Sequence, residues 1–507
     1  YAQDAAELVW ASSEAAGDGD WAAVNLHDGA TSRPDGVWSF AGPPPLIIPD
    51  ESRILDVTQH LHADHRFQWS IPAGKWTIMR FVCANTGERL KVPSPNSDGL
   101  ATDHFNADAT RTFIQTIIDR LEKRLGNLSE AGIKQLYLPS YEVVGAKWTP
   151  DFLDQFQRYR GYDMTRYLPV FAGCIVGSEE QTERFLYDFE KTLGELLVDA
   201  YYRTASETAR RAGLGIEAEA GGPGPPTHNV PVDALQALGA IDEMRGEFWP
   251  WRPERKGLWV VKETACAAPV YAHRLVHLEA LTGFYHWASG PHFLKSSADR
   301  AFCEGMNHVV WHTASHQPPE AGQPGWVYGA GTHLTPNLIW WPMAESFLDY
   351  LSRCSDLLQQ GLFVGDVCYY YGDQGSNFVP PKHVNPSLGL GYDYDVANRE
   401  VILNRMSVRD GRVTLPDGMQ YELLVLPDRD DIDLAVLRKL EQLIREGATV
   451  VGRKPVRTSG LADYLQRDQQ VKELGNQIWG ACDGKSVTHR RYGRGHVIWG
   501  PSLREIL

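Results

Sequence analysis

At 507 residues and 43% hydrophobic content, the chain is too long for one ordinary core, and two or three domains are expected. No apolar run approaches the roughly 20 residues that cross a bilayer. A net charge of -15 would repel phosphates, so neither a membrane nor a nucleic acid is an expected partner. Cys83, Cys174, Cys266, Cys303, Cys354, Cys368 and Cys482 are scattered with no CxxC, which reads as small buried hydrophobes rather than a disulfide frame or zinc cage. Sixteen Trp are more informative, because sugar rings stack their apolar faces on indole and phenol. The chain opens at Tyr1 without Met, so its natural start is expected to be missing or processed.

Residues 1–98 are punctuated by Gly and Pro, and the runs 53–57 and 76–82 alternate as strands do. The turn at 71–75 suggests a hairpin between Phe67-Gln68-Trp69 and 76–82. This part is expected to be a β-rich lead-in. It contains His60-Leu61-His62-Ala63-Asp64-His65, which matches the HxHxDH loop with which some hydrolases hold two zinc ions. Here polar residues 56–59 precede it and a strand-like run follows. A solvated His-rich loop is therefore the main expectation, with a binuclear zinc hydrolase using His60, His62, Asp64 and His65 as the alternative.

From residue 99 the rhythm becomes strand, helix, strand. A helix is predicted over 107–125, with Phe113, Ile117, Ile118 and Leu121 at helical spacing, then a strand over 133–138 ending at Tyr141-Glu142. Thr149-Pro150 is predicted to cap the next helix, and a long amphipathic helix to span 179–212. Strands are predicted at 213–219, 240–249, 275–279 and 307–311, and helices near 262–273, 295–303 and 343–360. The alternation predicts a (β/α)8-type TIM barrel over 99–361. Beyond it, 362–507 reads as a doubly wound α/β domain with strands near 364–371, 421–427, 448–451 and 495–499. It carries no phosphate loop, so a packing role is expected.

Strand ends carry the chemistry. Glu142, Glu217/Glu219, Glu247 and Glu279 all close predicted parallel strands, whose C-terminal ends share one face of a barrel. Paired carboxylates are the machinery of glycoside hydrolysis, one protonating the departing oxygen while the other activates water or attacks. Clustered acids need a counter-charge, and a surplus of oxygen ligands favours calcium or magnesium over zinc. His292, His312 and His316 are candidate partners of sugar hydroxyls, and Trp249, Trp287 and Trp326 are candidates for stacking.

Several strings, taken in order, resemble glycoside hydrolase family 106, the α-L-rhamnosidases. They are Ile54-Leu55-Asp56 with Trp69-x-x-Pro72-x-Gly74-x-Trp76, Gly99-Leu100 with Asp103, Gly161-Tyr162-Asp163, Gly246-Glu247-Phe248-Trp249 and His277-Leu278-Glu279-Ala280-Leu281-Thr282. Leu294-Lys295, Gly305-Met306-Asn307, His312-Thr313-x-x-His316-Gln317-Pro318, Pro324-Gly325, Leu358-Gln359-Gln360-Gly361 and Gly391-Tyr392-Asp393-Tyr394-Asp395 continue the series. The resemblance implies a catalytic barrel, inversion at the anomeric carbon and a Ca2+ ion. By position it implies Glu142 as general acid and Glu279 as general base, the pair being firmer than the assignment within it. Glu247, with Glu142 and Glu279, would hold the metal. The cis 2,3-diol of rhamnose suits a flexible calcium shell. A rhamnoside outside the cytoplasm, in the periplasm or medium, is the expected substrate. A sugar-binding barrel without turnover is a further alternative.

Overall fold

The structure is a computed structural model that describes residues 7–12, 31–32, 38–39, 46–90, 93, 95–141, 147–222, 230–250, 259–379, 388 and 391–507. Two compact units are present: residues 1–110, 143–201 and 459–464 form one, and 111–142, 202–458 and 465–507 the other. No helix among the described residues is long and apolar enough to cross a membrane.

In the first unit, Glu7–Ser12 is the central strand of an antiparallel sheet, flanked by Ile54–Asp56 and Thr77–Val82. The hairpin predicted across 71–75 does not form. Phe67 bridges to Leu61 instead, and Thr77–Val82 takes Glu7–Ser12 as its partner. The two arms meet through side chains, Trp69 against the edge of Trp76 at 5.5 Å, with Phe67 and Ile78 packed in the same cluster around Val57. The His-rich loop therefore closes on itself: His62, Asp64 and His65 are exposed, and Asp64 accepts from Arg66 Nε at 2.6 Å. Thr149 is not the predicted helix cap, because its hydroxyl donates to Asp103 at 2.8 Å and the helix Phe152–Arg160 begins three residues later. Phe152, Phe156, Phe171, Phe185 and Phe189 make an aromatic core for this unit.

The second unit holds two sheets. The first is parallel and follows chain order: Gln135–Leu138, Gly215–Ala218, Glu243–Glu247, His277–Ala280 and His308–Trp311. Five strands are described in it and the sheet stays open. The expected rhythm holds closely, with Trp259–Val270 leading into His277–Ala280, Pro291–Cys303 crossing to His308–Trp311 and Ala344–Leu358 following. The predicted helix over 179–212 is interrupted by a π turn at Val198–Arg203.

Burial alternates along the three inner strands. Ile216, Ala218, Met244, Leu278 and Ala280 are buried on one face. Leu278 and Ala280 pack there with Leu294, Ala298 and Phe302 of one helix and Phe347 and Leu351 of the next. The intervening positions, Glu217, Glu243, Arg245, Glu247, His277, Glu279 and His308, must share the opposite face, since successive side chains on a strand point to opposite sides. Parallel sheets are usually apolar on both faces. This one carries most of its charge on one face, with Tyr137 and Val310 interspersed among the ionisable side chains.

The second sheet has the order Tyr394–Ala397, Val367–Tyr370, Leu423–Val425, Thr449–Val451, Gly495–Ile498, with His489–Tyr492 antiparallel at the edge. Its five parallel strands have the 2-1-3-4-5 order of a doubly wound fold, whose ligands bind where the order reverses. The loop after Val367–Tyr370 holds the chain's own segment Val230–Ala234: Asn377 N donates to Val232 O at 3.1 Å, Ala234 N to Asn377 O at 3.0 Å, and Tyr371 Oη to Asp233 at 2.7 Å. The seven cysteines are free thiols, four of them buried.

Candidate active site

Three acids meet beyond the strand ends of the parallel sheet. Glu219 follows Gly215–Ala218, Glu247 closes Glu243–Glu247, and Glu279 is the third residue of His277–Ala280. Glu247 and Glu279 stand in register, and one oxygen from each of the three carboxylates lies within 4.8 Å of the others. Parallel strands bring their C-terminal ends to one edge, and the shared parity of 247 and 279 turns both side chains to the polar face.

A neutral donor holds each acid. Tyr137 Oη donates to Glu219 Oε1 at 2.6 Å, Thr282 Oγ1 to Glu279 Oε1 at 2.8 Å, and Trp249 Nε1 to Glu247 Oε1 at 3.3 Å. One cation stands close beneath: the Arg245 guanidinium lies 4.5 Å over the Tyr137 ring and donates through Nε to Glu217 Oε1 at 2.9 Å. Burial first, then the charges of Glu279 and Glu247, push the Glu219 carboxyl up to about 8 against the pull of Tyr137 and Arg245. Among the described residues Arg245 is the cation at this cluster, and three such carboxylate oxygens fit a hard divalent cation such as calcium. No other group of three His, Cys, Asp or Glu converges this way among the described residues, the His60–His65 loop included.

His312, just past the strand His308–Trp311, places Nδ1 3.7 Å from Glu279 Oε1. The loop beneath is fastened by Thr332 N donating to His312 O at 3.0 Å and Gly331 N to Gly283 O at 2.6 Å. Gly331 has φ +115°, and a Cβ there would stand 2.7 Å from His312 O.

The sequence profile of the α-L-rhamnosidase family, glycoside hydrolase family 106, matches residues 38–507. The chain belongs to this family. A rhamnosidase structure from Novosphingobium sp. PP1Y superimposes with a TM-score of 0.78 at 29% identity, covering 90% of this chain and 44% of that one. A Formosa agariphila protein provisionally named a beta-glucuronidase is 32% identical over 450 residues, 86% of this chain and 37% of its own length. The chain thus spans less than half the length of either relative.

Within this rhamnosidase-family chain, Glu247, Glu279, Trp249 and His312 lie together. Trp249 also meets Phe284, ring centroids 4.9 Å apart. Trp287 lies one contact further out, 4.9 Å from the buried His333 ring. His316 is exposed beside Trp326, and His292 is exposed on the first turn of Pro291–Cys303. Glu142 lies outside the described residues. Of the two acids offered by 217 and 219, Glu217 is occupied by Arg245, and Glu219 joins the cluster. Tyr137 was not singled out by sequence reading. Its position within a strand, on the face carrying the acids, is the signal that could have found it.

Proposed function

We propose that this chain carries the catalytic centre of an inverting α-L-rhamnosidase, acting on a rhamnose-terminated glycoside or polysaccharide. The observation that carries the reading is the convergence of Glu219, Glu247 and Glu279 from three neighbouring parallel strands, in a chain of this family. The five-stranded arc is read as part of a (β/α)8-type barrel.

Glu279 is the general base in this reading, taking a proton from water at the carboxylate that Thr282 orients and His312 borders. Glu142 is the general acid that protonates the departing oxygen. An inverting pair stands about 6.5–9.5 Å apart to admit that water. Glu219, Glu247 and Glu279 would hold calcium, which when bound offsets their charge and takes vicinal sugar hydroxyls into its shell. Trp249 supplies an apolar surface for the ring. Rhamnose-terminated substrates are met outside the cytoplasm, so the periplasm or medium is the place of action.

The test is hydrolysis by the whole protein of aryl α-L-rhamnoside and aryl β-D-glucuronide, with the product anomer read by NMR. Rhamnoside turnover with inversion is expected, falling at least about a hundredfold in Glu279→Gln. Turnover of the glucuronide alone would overturn the reading, and a retained anomer would overturn its mechanism.

A further inference from the structure

Beside the acids lies a segment that breaks the ordinary rule for large apolar side chains. Trp326, Val327 and Tyr328 are consecutive, and 52%, 54% and 57% of their surface is exposed. The segment is nevertheless pinned from both ends. The Gln317 side-chain amide donates to Trp326 O at 2.7 Å and accepts from Trp326 N at 2.8 Å, and a Cβ at Gly325 would strike that amide. Tyr328 N donates to Nε2 of the buried His333, whose Nδ1 bonds Gly331 O at 3.0 Å, which sets the tautomer with the proton on Nδ1. Through Tyr328 the segment also connects to the acids. Tyr328 meets His312 edge-on at 5.5 Å, and His312 borders Glu279. On the side of Glu247, Phe284 is 60% exposed and leans on Trp249.

Exposed apolar clusters mark binding surfaces, and an ordered one binds with less loss of freedom than a mobile one. Two aromatic walls, each reaching a different acid of one cluster, suit a flat partner joined to the sugar bound there. We infer that Trp326–Tyr328 and Phe284 form the leaving-group subsite, taking a ring with an apolar face on the far side of the glycosidic oxygen. This rests on the rhamnosidase reading and extends it to the second half of the substrate. Either an aryl group or a second pyranose has the required face.

The experiment compares kcat/KM of the whole protein for methyl α-L-rhamnoside, phenyl α-L-rhamnoside and a rhamnosyl-glucose disaccharide, in wild type and in Trp326→Leu and Phe284→Leu. The phenyl-to-methyl or disaccharide-to-methyl ratio is expected to fall about tenfold, a size typical of one lost ring contact with its burial. The ratio that falls further names the natural class. Where turnover is too slow to measure, the same ratios are read as Kd in a Glu279→Gln background. Ratios unchanged within about twofold in both variants overturn the subsite, even if every substrate slows equally. A wild-type protein that neither binds nor turns over any rhamnoside overturns the rhamnosidase reading instead.

Discussion

The hydroxyl of Tyr137 donates to Glu219 Oε1 at 2.6 Å, joining two neighbouring strands across 82 residues of sequence. That bond fixes which way the most buried of the three clustered acids turns its carboxylate. Groups that orient ligands in this way commonly contribute 10–100-fold to metal affinity. Tyr137→Phe is therefore expected to weaken calcium binding by about that factor, read by titration calorimetry on the folded protein. An unchanged affinity would separate Glu219 from the cation.

Arg245 and Glu217 form an ion pair with only 14% and 15% of their side chains exposed. Removing one member leaves a buried charge uncompensated, at a cost of about 3–5 kcal/mol. Arg245→Met should lower the denaturation midpoint accordingly, and adding Glu217→Gln should restore part of the loss. If the double variant is no more stable than the single one, the pair does not explain the cost.

Gly331 is held at φ +115°, and an added Cβ would stand 2.7 Å from the His312 carbonyl oxygen. A side chain there adds a clash with backbone to a strain of about 1–3 kcal/mol. Gly331→Ala is expected to lower both the melting temperature and kcat, because the loop bearing His333 must move away from His312. Gly329→Ala, where nothing stands within 4 Å of a new Cβ, is the matched control and should shift stability by about 0.5 kcal/mol or less.

Glu263, wholly buried on Trp259–Val270, accepts from Val379 N at 3.1 Å. Burial pushes its carboxyl up to about 8, opposed by that N–H and assisted by Asp233. The folded chain then holds the proton more tightly than the unfolded one, whose Glu titrates at about 4.3. The stability contributed by this group is full below that value and is lost as pH rises through it towards about 8. Glu263→Gln has no proton to lose, so its melting temperature relative to wild type should rise between pH 5 and pH 9. A pH-independent difference would mean that Glu263 is ionised throughout.

Much of the second unit was legible locally. The helix over 107–125 is observed with those bounds, and the predicted strands at 275–279 and 307–311 fall within a few residues of His277–Ala280 and His308–Trp311. Strand and helix periods are written into neighbouring residues, so a short window recovers them. The failures came where a partner was distant. The hairpin at 71–75 lost to pairing with Glu7–Ser12, and Thr149 left its expected cap for Asp103.

By itself the sequence determined the alternation of acids and apolar residues along each strand, the family strings and therefore the kind of chemistry to look for. Tertiary structure alone decided that Glu217 spends its charge on Arg245 while Glu219 faces Glu247 and Glu279, that Tyr137 orients Glu219, and that Gln317 and His333 pin an exposed aromatic segment beside them. The reason is physical. Side-chain parity is local to one strand, whereas hydrogen bonds and charge pairing depend on which strands lie side by side, and that is settled only when the chain has folded.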